Sequence, residues 1–247
     1  MEIQAEKIKP YDPSAPKTGQ VERMFDSIAP AYDFMNRAMT LGIENIWRAR
    51  AVRMVAARSP REILDVATGT GDLAIRLARA AKECRVTGID LSEGMLSIGR
   101  GKVAEAGLAD RISFQKADCL SLPFPDASFD AVTVAYGVRN FEHLDRGYAE
   151  MARVLRPGGM LCVIELSTPR GKLTRPLYDL YTLRVIPALG RAVSSDKSAY
   201  TYLPASIAAM PQGEEMLRLM TEAGLSKPRL RRMTFGVCTI YTAVKGR

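Results

Sequence analysis

Glu62-Ile63-Leu64-Asp65-Val66-Ala67-Thr68-Gly69-Thr70-Gly71-Asp72 decides the fold of this chain. Apolar residues run into a turn of small residues, and a helical pattern follows at once through Leu73, Leu77, Ala78 and Ala81. This reads as a buried strand, a tight glycine turn and a helix N-terminus, which leaves free backbone N–H groups at one edge of an α/β sheet. Asp72 falls in the first helical turn, where the helix dipole favours an acid. The turn is not a dinucleotide fingerprint, because Ala74 stands where Gly-x-Gly-x-x-Gly needs its third glycine.

Working outward, the same alternation repeats. Arg85–Ile89 reads as a second strand ending at Asp90, and Ser92 as the N-cap of the next helix. Ile112–Lys116 is a third strand followed by Ala117-Asp118, and Phe129–Ala135 a fourth. A helix patterned by Leu144, Tyr148, Met151 and Leu155 comes next. Arg156-Pro157-Gly158-Gly159 reads as a stop and turn before a fifth strand, Met160–Leu166. Alternation with short connections predicts an α/β fold with a mostly parallel sheet and helices on both faces. Pro228–Arg232 and Val237–Val244 read as a closing hairpin.

Two segments depart from that rhythm. Residues 1–18, rich in proline and charge, read as a flexible or loosely docked tail, and residues 19–247 as one domain. Within it, 19–58 read as a helical cap, with Phe25 and Trp47 as core and Tyr32, Asp33 and Asn36 beside a cleft. Residues 168–211, with Tyr178, Tyr181, Leu189 and Ser194-Ser195-Asp196, are too long for a plain loop and read as a helical lid.

The chain has 247 residues and a net charge of +8. No apolar run approaches the roughly 20 residues that cross a bilayer. The charged start has no apolar signal core, so a cytoplasmic protein is expected. Four scattered cysteines carry no zinc spacing and give no reason for disulfides. A single histidine, His143, removes most zinc and Ser-His-Asp chemistry and reads as a solvent-facing residue of a first helical turn. The spread of basic residues reads first as solubility, then as weak attraction to anionic lipid; nucleic acid ranks behind both.

On the sheet edge, Asp90 lies roughly 20 residues past the first turn, where a carboxylate accepts the hydroxyls of a ribose. Asp118, followed by Cys119 and Leu120, is placed to read an adenine edge. Asp65 either ties the turn together or touches ligand. The motifs Asp65-x-Ala67-x-Gly69-x-Gly71, Gly88-Ile89-Asp90-Leu91-Ser92-x-Gly94-Met95 and Leu122-Pro123-Phe124-Pro125-Asp126 resemble class I methyltransferases that use S-adenosylmethionine. Further stretches resemble the C-methyltransferases of menaquinone and ubiquinone biosynthesis: Phe25-Asp26 through Asn36, Gly137-Val138-Arg139-Asn140, Glu165-Leu166-Ser167 and Tyr200 through Ile207.

That resemblance implies a Rossmann-like sheet of seven strands and an S-adenosylmethionine site. Thr70, Asp90, Asp118 and Cys119 match cofactor-contacting positions, and Ala135 stands at a position that is often serine. Tyr32, Asp65, Thr68, Gly69, Gly71 and Leu91 complete the expected cofactor set. The implied reaction is C-methylation of a polyprenylated quinol: reduced demethylmenaquinone, or alternatively the ubiquinone precursor 2-polyprenyl-6-methoxy-1,4-benzoquinol. Another small apolar or phenolic acceptor, such as a sterol, or a non-catalytic nucleotide-binding or RNA-associated role, ranks lower. The electron-poor quinone is a weak carbon nucleophile, so the acceptor must be the reduced ring. Arg139 is then expected to stabilise a phenolate, with Asn140, Tyr200 and Tyr202 orienting the hydroxyls. The positive charge fits transient contact with the inner membrane surface, and the N-terminal helices or the final hairpin could form a homodimer, the oligomeric state being open; no nucleic acid and no metal are expected.

Overall fold

The computed structural model describes residues 3–186 and 197–246; Leu189 and Ser194-Ser195-Asp196 lie outside them. Seven strands form one sheet in the order β3-β2-β1-β4-β5-β7-β6. They are β1 (Glu62–Val66), β2 (Arg85–Asp90), β3 (Ile112–Lys116), β4 (Phe129–Ala135), β5 (Leu155–Leu166), β6 (Leu225–Met233) and β7 (Cys238–Lys245). β1 to β5 pair in parallel, and β7 lies antiparallel between β5 and β6. The order reverses at β1, between β2 and β4, so the crevice at its carboxyl end is where this topology binds ligands.

Ten helices flank or cap the sheet among the described residues: α1 (Gln4–Lys7), α2 (Lys17–Ile28), α3 (Tyr32–Thr40), α4 (Glu44–Ala56), α5 (Asp72–Ala80), α6 (Glu93–Glu105), α7 (Leu144–Val154), α8 (Thr174–Leu180), α9 (Lys197–Ala209) and α10 (Glu214–Glu222). Ser92 caps α6 as expected, its Oγ accepting the Met95 N–H at 3.1 Å. One apolar core lies on each face of the sheet, one around Leu64, Val132 and Met151 and the other around Ile63, Leu77 and Trp47. A third cluster joins cap to lid through Met24, Met35, Ile186 and Tyr202.

Three local readings change. Arg156-Pro157-Gly158-Gly159 does not end an element; it is a bulge within β5, since Phe129 pairs Leu155 while Ala131 already pairs Met160. Gly158 has φ +80°, and a Cβ on Gly159 would come within 2.8 Å of the Arg156 carbonyl. Phe25 is half-buried at a cleft wall, edge-on to Tyr32 with centroids 6.0 Å apart, whereas Trp47 is core.

The N-terminal segment is docked where its composition suggested a tail. Ile3 and Ala5 enter the core, and Lys17 is fully buried. Its Nζ donates to the carbonyls of Ala5 at 2.7 Å, Arg139 at 2.9 Å and Phe141 at 3.3 Å. Burial lowers this lysine to about 8. No local side chain caps α2; Glu142 does so, accepting the Lys17 N–H at 3.0 Å and the Thr18 N–H and hydroxyl at 2.9 and 2.6 Å. Burial opposes the Glu142 charge, but the hydrogen bonds from Thr18 and Lys17 outweigh it and hold the carboxyl down at about 2. Glu142→Ala is expected to lower stability by about 1–2 kcal/mol in urea unfolding at neutral pH, the usual effect of losing a cap. An unchanged midpoint would mean that the docked segment does not depend on this cap.

Candidate active site

The turn after β1 is built on left-handed backbone: Ala67, Gly69 and Gly71 have φ of +51°, +57° and +80°. The alanine at the first position is tolerated because Gly137 faces it; a Cβ on Gly137 would lie 2.7 Å from the Ala67 methyl. The Gly69 N–H donates to Asp90 Oδ2 at 2.8 Å, and the Ser92 N–H to Asp90 Oδ1 at 3.0 Å. Each carboxylate oxygen keeps a further lone pair. Asp118 Oδ1 accepts the Leu120 N–H at 2.9 Å. Burial raises the Asp90 carboxyl above its ordinary value and pushes the Cys119 thiol well up.

An open cleft runs along these strand ends. Of the expected cofactor residues, Tyr32, Gly69, Asp90, Leu91, Asp118, Cys119 and Ala135 line it. Asp65, Thr68, Thr70 and Gly71 do not; they support the turn from behind. Asp65 is buried beneath it, accepting the Thr68 and Thr133 hydroxyls, each at 2.6 Å. Thr70 donates its hydroxyl to Asp33 at 2.6 Å, which ties the turn to the cap, and Lys102 bridges Asp33 and Asp72 behind it. Gly71 lies against the Phe114 ring, which a Cβ there would meet at 2.6 Å.

Burial raises Asp65 from 3.8 to about 6. Between these values the folded chain holds a proton that the unfolded chain has released, so this group lowers stability as pH rises through that window. Asp65→Asn removes the titration. Relative to the parent, the variant is expected to gain about 2–3 kcal/mol between pH 4 and pH 7 in denaturant unfolding. Parallel pH profiles would show that Asp65 does not carry this shift.

Beside the cleft opens a second, more apolar chamber of ≈ 400 Å³, between the cap, α8, α9 and the β6–β7 turn. Tyr32 and Tyr136 line both cavities. At this junction the 3₁₀ turn Val138–Asn140 sets Arg139 on the chamber side and Asn140 on the cleft side. Arg139 is buried, its Nη1 2.7 Å from Glu165 Oε1 and also bonded to the Tyr136 carbonyl. Burial disfavours its charge and Glu165 outweighs that, so the guanidinium stays ionised. Its Nε has no protein partner, nor does the buried Tyr136 hydroxyl. Tyr202 donates to Asn140 Oδ1 at 3.1 Å, and burial raises its hydroxyl far enough to make it a donor rather than a base. The side chain of Tyr200 lies outside the described residues. His143 is exposed at the start of α7 and lines neither cavity.

Sequence reasoning named Glu165 within a motif but gave it no role, and missed Lys17 and Tyr136. Glu165 had a signal, an acid closing the apolar run from Leu161. Lys17 had none: its burial depends on carbonyls at residues 5, 139 and 141.

A seven-stranded sheet with a glycine turn after β1 and carboxylates ending β2 and β3 defines the class I methyltransferase fold. A SAM-dependent methyltransferase from Thermotoga maritima has this fold, with a TM-score of 0.63 at 18% identity over 91% of this chain and 99% of its own. Residues 14–245 match the ubiE/COQ5 methyltransferase family, to which this chain belongs. The demethylmenaquinone methyltransferase of Bacteroides fragilis is 49% identical over 245 residues, which is 99% of this chain and 100% of that protein. The ubiquinone/menaquinone biosynthesis C-methyltransferase UbiE of Geobacter sulfurreducens is 44% identical over 93% of this chain and 90% of its own.

Proposed function

We propose that this enzyme C-methylates demethylmenaquinol to menaquinol with S-adenosylmethionine as methyl donor. The observation that carries this reading is a buried, permanently charged arginine where the cleft at the strand ends meets an apolar chamber, in a chain related over nearly its whole length to demethylmenaquinone methyltransferases. The cleft fits the cofactor: Asp90 has free lone pairs for a ribose diol, Asp118 an edge for adenine, and Leu91 and Cys119 apolar surface for the ring. S-adenosylmethionine held there supplies a methyl carbon on a sulfonium.

The chain's own residues prepare the acceptor. The apolar walls take a prenylated ring and exclude water, which strengthens every charge inside. The hydroxyl proton passes to solvent water at the open mouth of the site; Arg139, with Nε free, stabilises the oxygen anion left behind, and that anion raises electron density at the adjacent ring carbon. Asn140, fixed by Tyr202, orients the ring hydroxyl toward the cleft. Glu165 holds Arg139 in place rather than taking a proton from the acceptor. The expected associations are a polyprenylated quinol and the inner face of the cytoplasmic membrane. Among the described residues, no helix is long and apolar enough to cross a membrane.

The test is anaerobic transfer of label from S-adenosylmethionine to reduced demethylmenaquinone, with the oxidised form and the demethylated ubiquinone precursor alongside. Label in the reduced naphthoquinol, and none in its oxidised form, is expected. Label in both reduced acceptors adds the ubiquinone step, which the name of the Geobacter relative also favours. No label in either, with the cofactor bound, would overturn the quinol assignment.

A further inference from the structure

Helix α8 has no buried residue, yet its two faces differ. One side, continued by the π-helical turn Tyr181–Val185, turns Tyr178, Tyr181 and Thr182 to the chamber, and the Tyr181 hydroxyl donates to the Met39 carbonyl at 2.8 Å. Leu173 at the N-cap, Leu177 and Leu180 are 84%, 68% and 52% exposed, at spacings of four and three that form a single stripe whose middle residue, Leu177, borders the chamber. Leu41 and Phe235, 80% and 84% exposed, stand with Leu177 at the rim of the chamber. Both sit on left-handed backbone, with φ of +52° and +55°, a conformation that disfavours residues with a Cβ. Leu41, Leu177 and Phe235 rim the opening, and Leu173 and Leu180 extend the apolar surface from it along the stripe of Leu177, the kind of exposed patch that marks an interaction surface.

The charge around this opening identifies the occupant. Arg170, Lys172, Arg175 and Arg184 are exposed along the α8 segment, with Asp179 the sole acid from 170 to 184. Arg231 and Arg232 are exposed beside Phe235, and the guanidinium ends of Arg170 and Arg232 both approach Gly213. Apolar residues in a basic surround suit an anionic bilayer: the leucines enter the acyl boundary while the cations meet headgroup phosphates. We propose that this face docks on an anionic lipid bilayer and that the prenylated acceptor enters the chamber through it, its ring reaching Arg139 while the distal tail stays among the lipids. The entry route rests on the quinol reading above; the docking face does not.

The experiment uses the full chain and Leu173→Glu/Leu180→Glu, two positions that do not line the chamber. Both proteins are sedimented with vesicles of phosphatidylcholine alone or with phosphatidylglycerol, and assayed with a tailless water-soluble naphthoquinol and with a long-tailed acceptor in the same vesicles. The parent is expected to sediment with the anionic vesicles, less so at high salt, and the variant to bind them about 10-fold more weakly or worse. Turnover of the tailless acceptor should be equal in the two proteins, and turnover of the vesicle-borne acceptor should fall about 10-fold in the variant. A parent that stays in the supernatant, or a variant that binds like the parent, would overturn the proposal. So would self-association of the parent that the variant loses, since a second copy would then cover this face. Vesicle binding that behaves as expected while neither quinol is methylated would support the docking face and remove only the quinol reading.

Discussion

Arg139→Met is expected to lower kcat by about 10²–10³, the usual effect of removing a donor aimed at developing negative charge. The same change leaves Glu165 buried without its cation, which typically costs about 3–5 kcal/mol. At this chain length that is on the order of 10 °C in Tm. A lost activity alone would therefore be ambiguous. Arg139→Met/Glu165→Leu separates the two effects, because replacing both partners of a buried pair with apolar groups is often neutral or stabilising. The double variant should regain most of the lost Tm and none of the lost kcat. Near-parent turnover in either variant would show that Arg139 is structural, with its charge serving Glu165 and the Tyr136 carbonyl rather than the acceptor.

Asp90→Ala is expected to weaken S-adenosylmethionine binding about 100-fold or more in calorimetric titration. Two hydrogen bonds to a charged acceptor contribute about 1.5–3 kcal/mol each, and about 1.4 kcal/mol is a factor of ten. The loss has a second source, since the Gly69 and Ser92 N–H groups lose their shared acceptor and the turn loses its brace across the cleft. Asp90→Asn keeps an oxygen for Gly69 but turns its NH₂ to the Ser92 N–H, and should lose about 10-fold or more through the lost charge and that lost acceptor. Unchanged affinity in the alanine variant would mean that the cleft does not hold the ribose at this carboxylate.

What was legible in the sequence follows from how local each cause is. The strand, glycine turn and helix at 62–81 are specified by neighbours in the chain, and so is the Ser92 cap, which acts within one helical turn. The bulge at Arg156–Gly159 was not legible: Pro-Gly-Gly is a turn signal in isolation, and only pairing with β4 on both sides keeps it within a strand. Lys17 and Glu142 look like surface residues of a polar segment, but their partners are brought to them by the tertiary fold. For the same reason Thr70 matched a cofactor position while its hydroxyl belongs to Asp33. The motif residues identified the strand ends and the Arg139-Asn140 turn. Which of them face the cleft was decided by partners distant in sequence: Thr133 for Asp65, Asp33 for Thr70 and the Phe114 ring behind Gly71.

The central claim is that Arg139 makes the bound acceptor anionic at neutral pH. The most direct measurement is a spectrophotometric pH titration of a redox-stable naphthol bound to the enzyme with S-adenosylhomocysteine in place, in the parent and in Arg139→Met/Glu165→Leu. The expected result is naphtholate absorption in the parent well below the pH at which the free naphthol ionises, and a return to the free-solution titration in the double variant. A naphthol that stays neutral in the parent up to its solution pKa would contradict the claim.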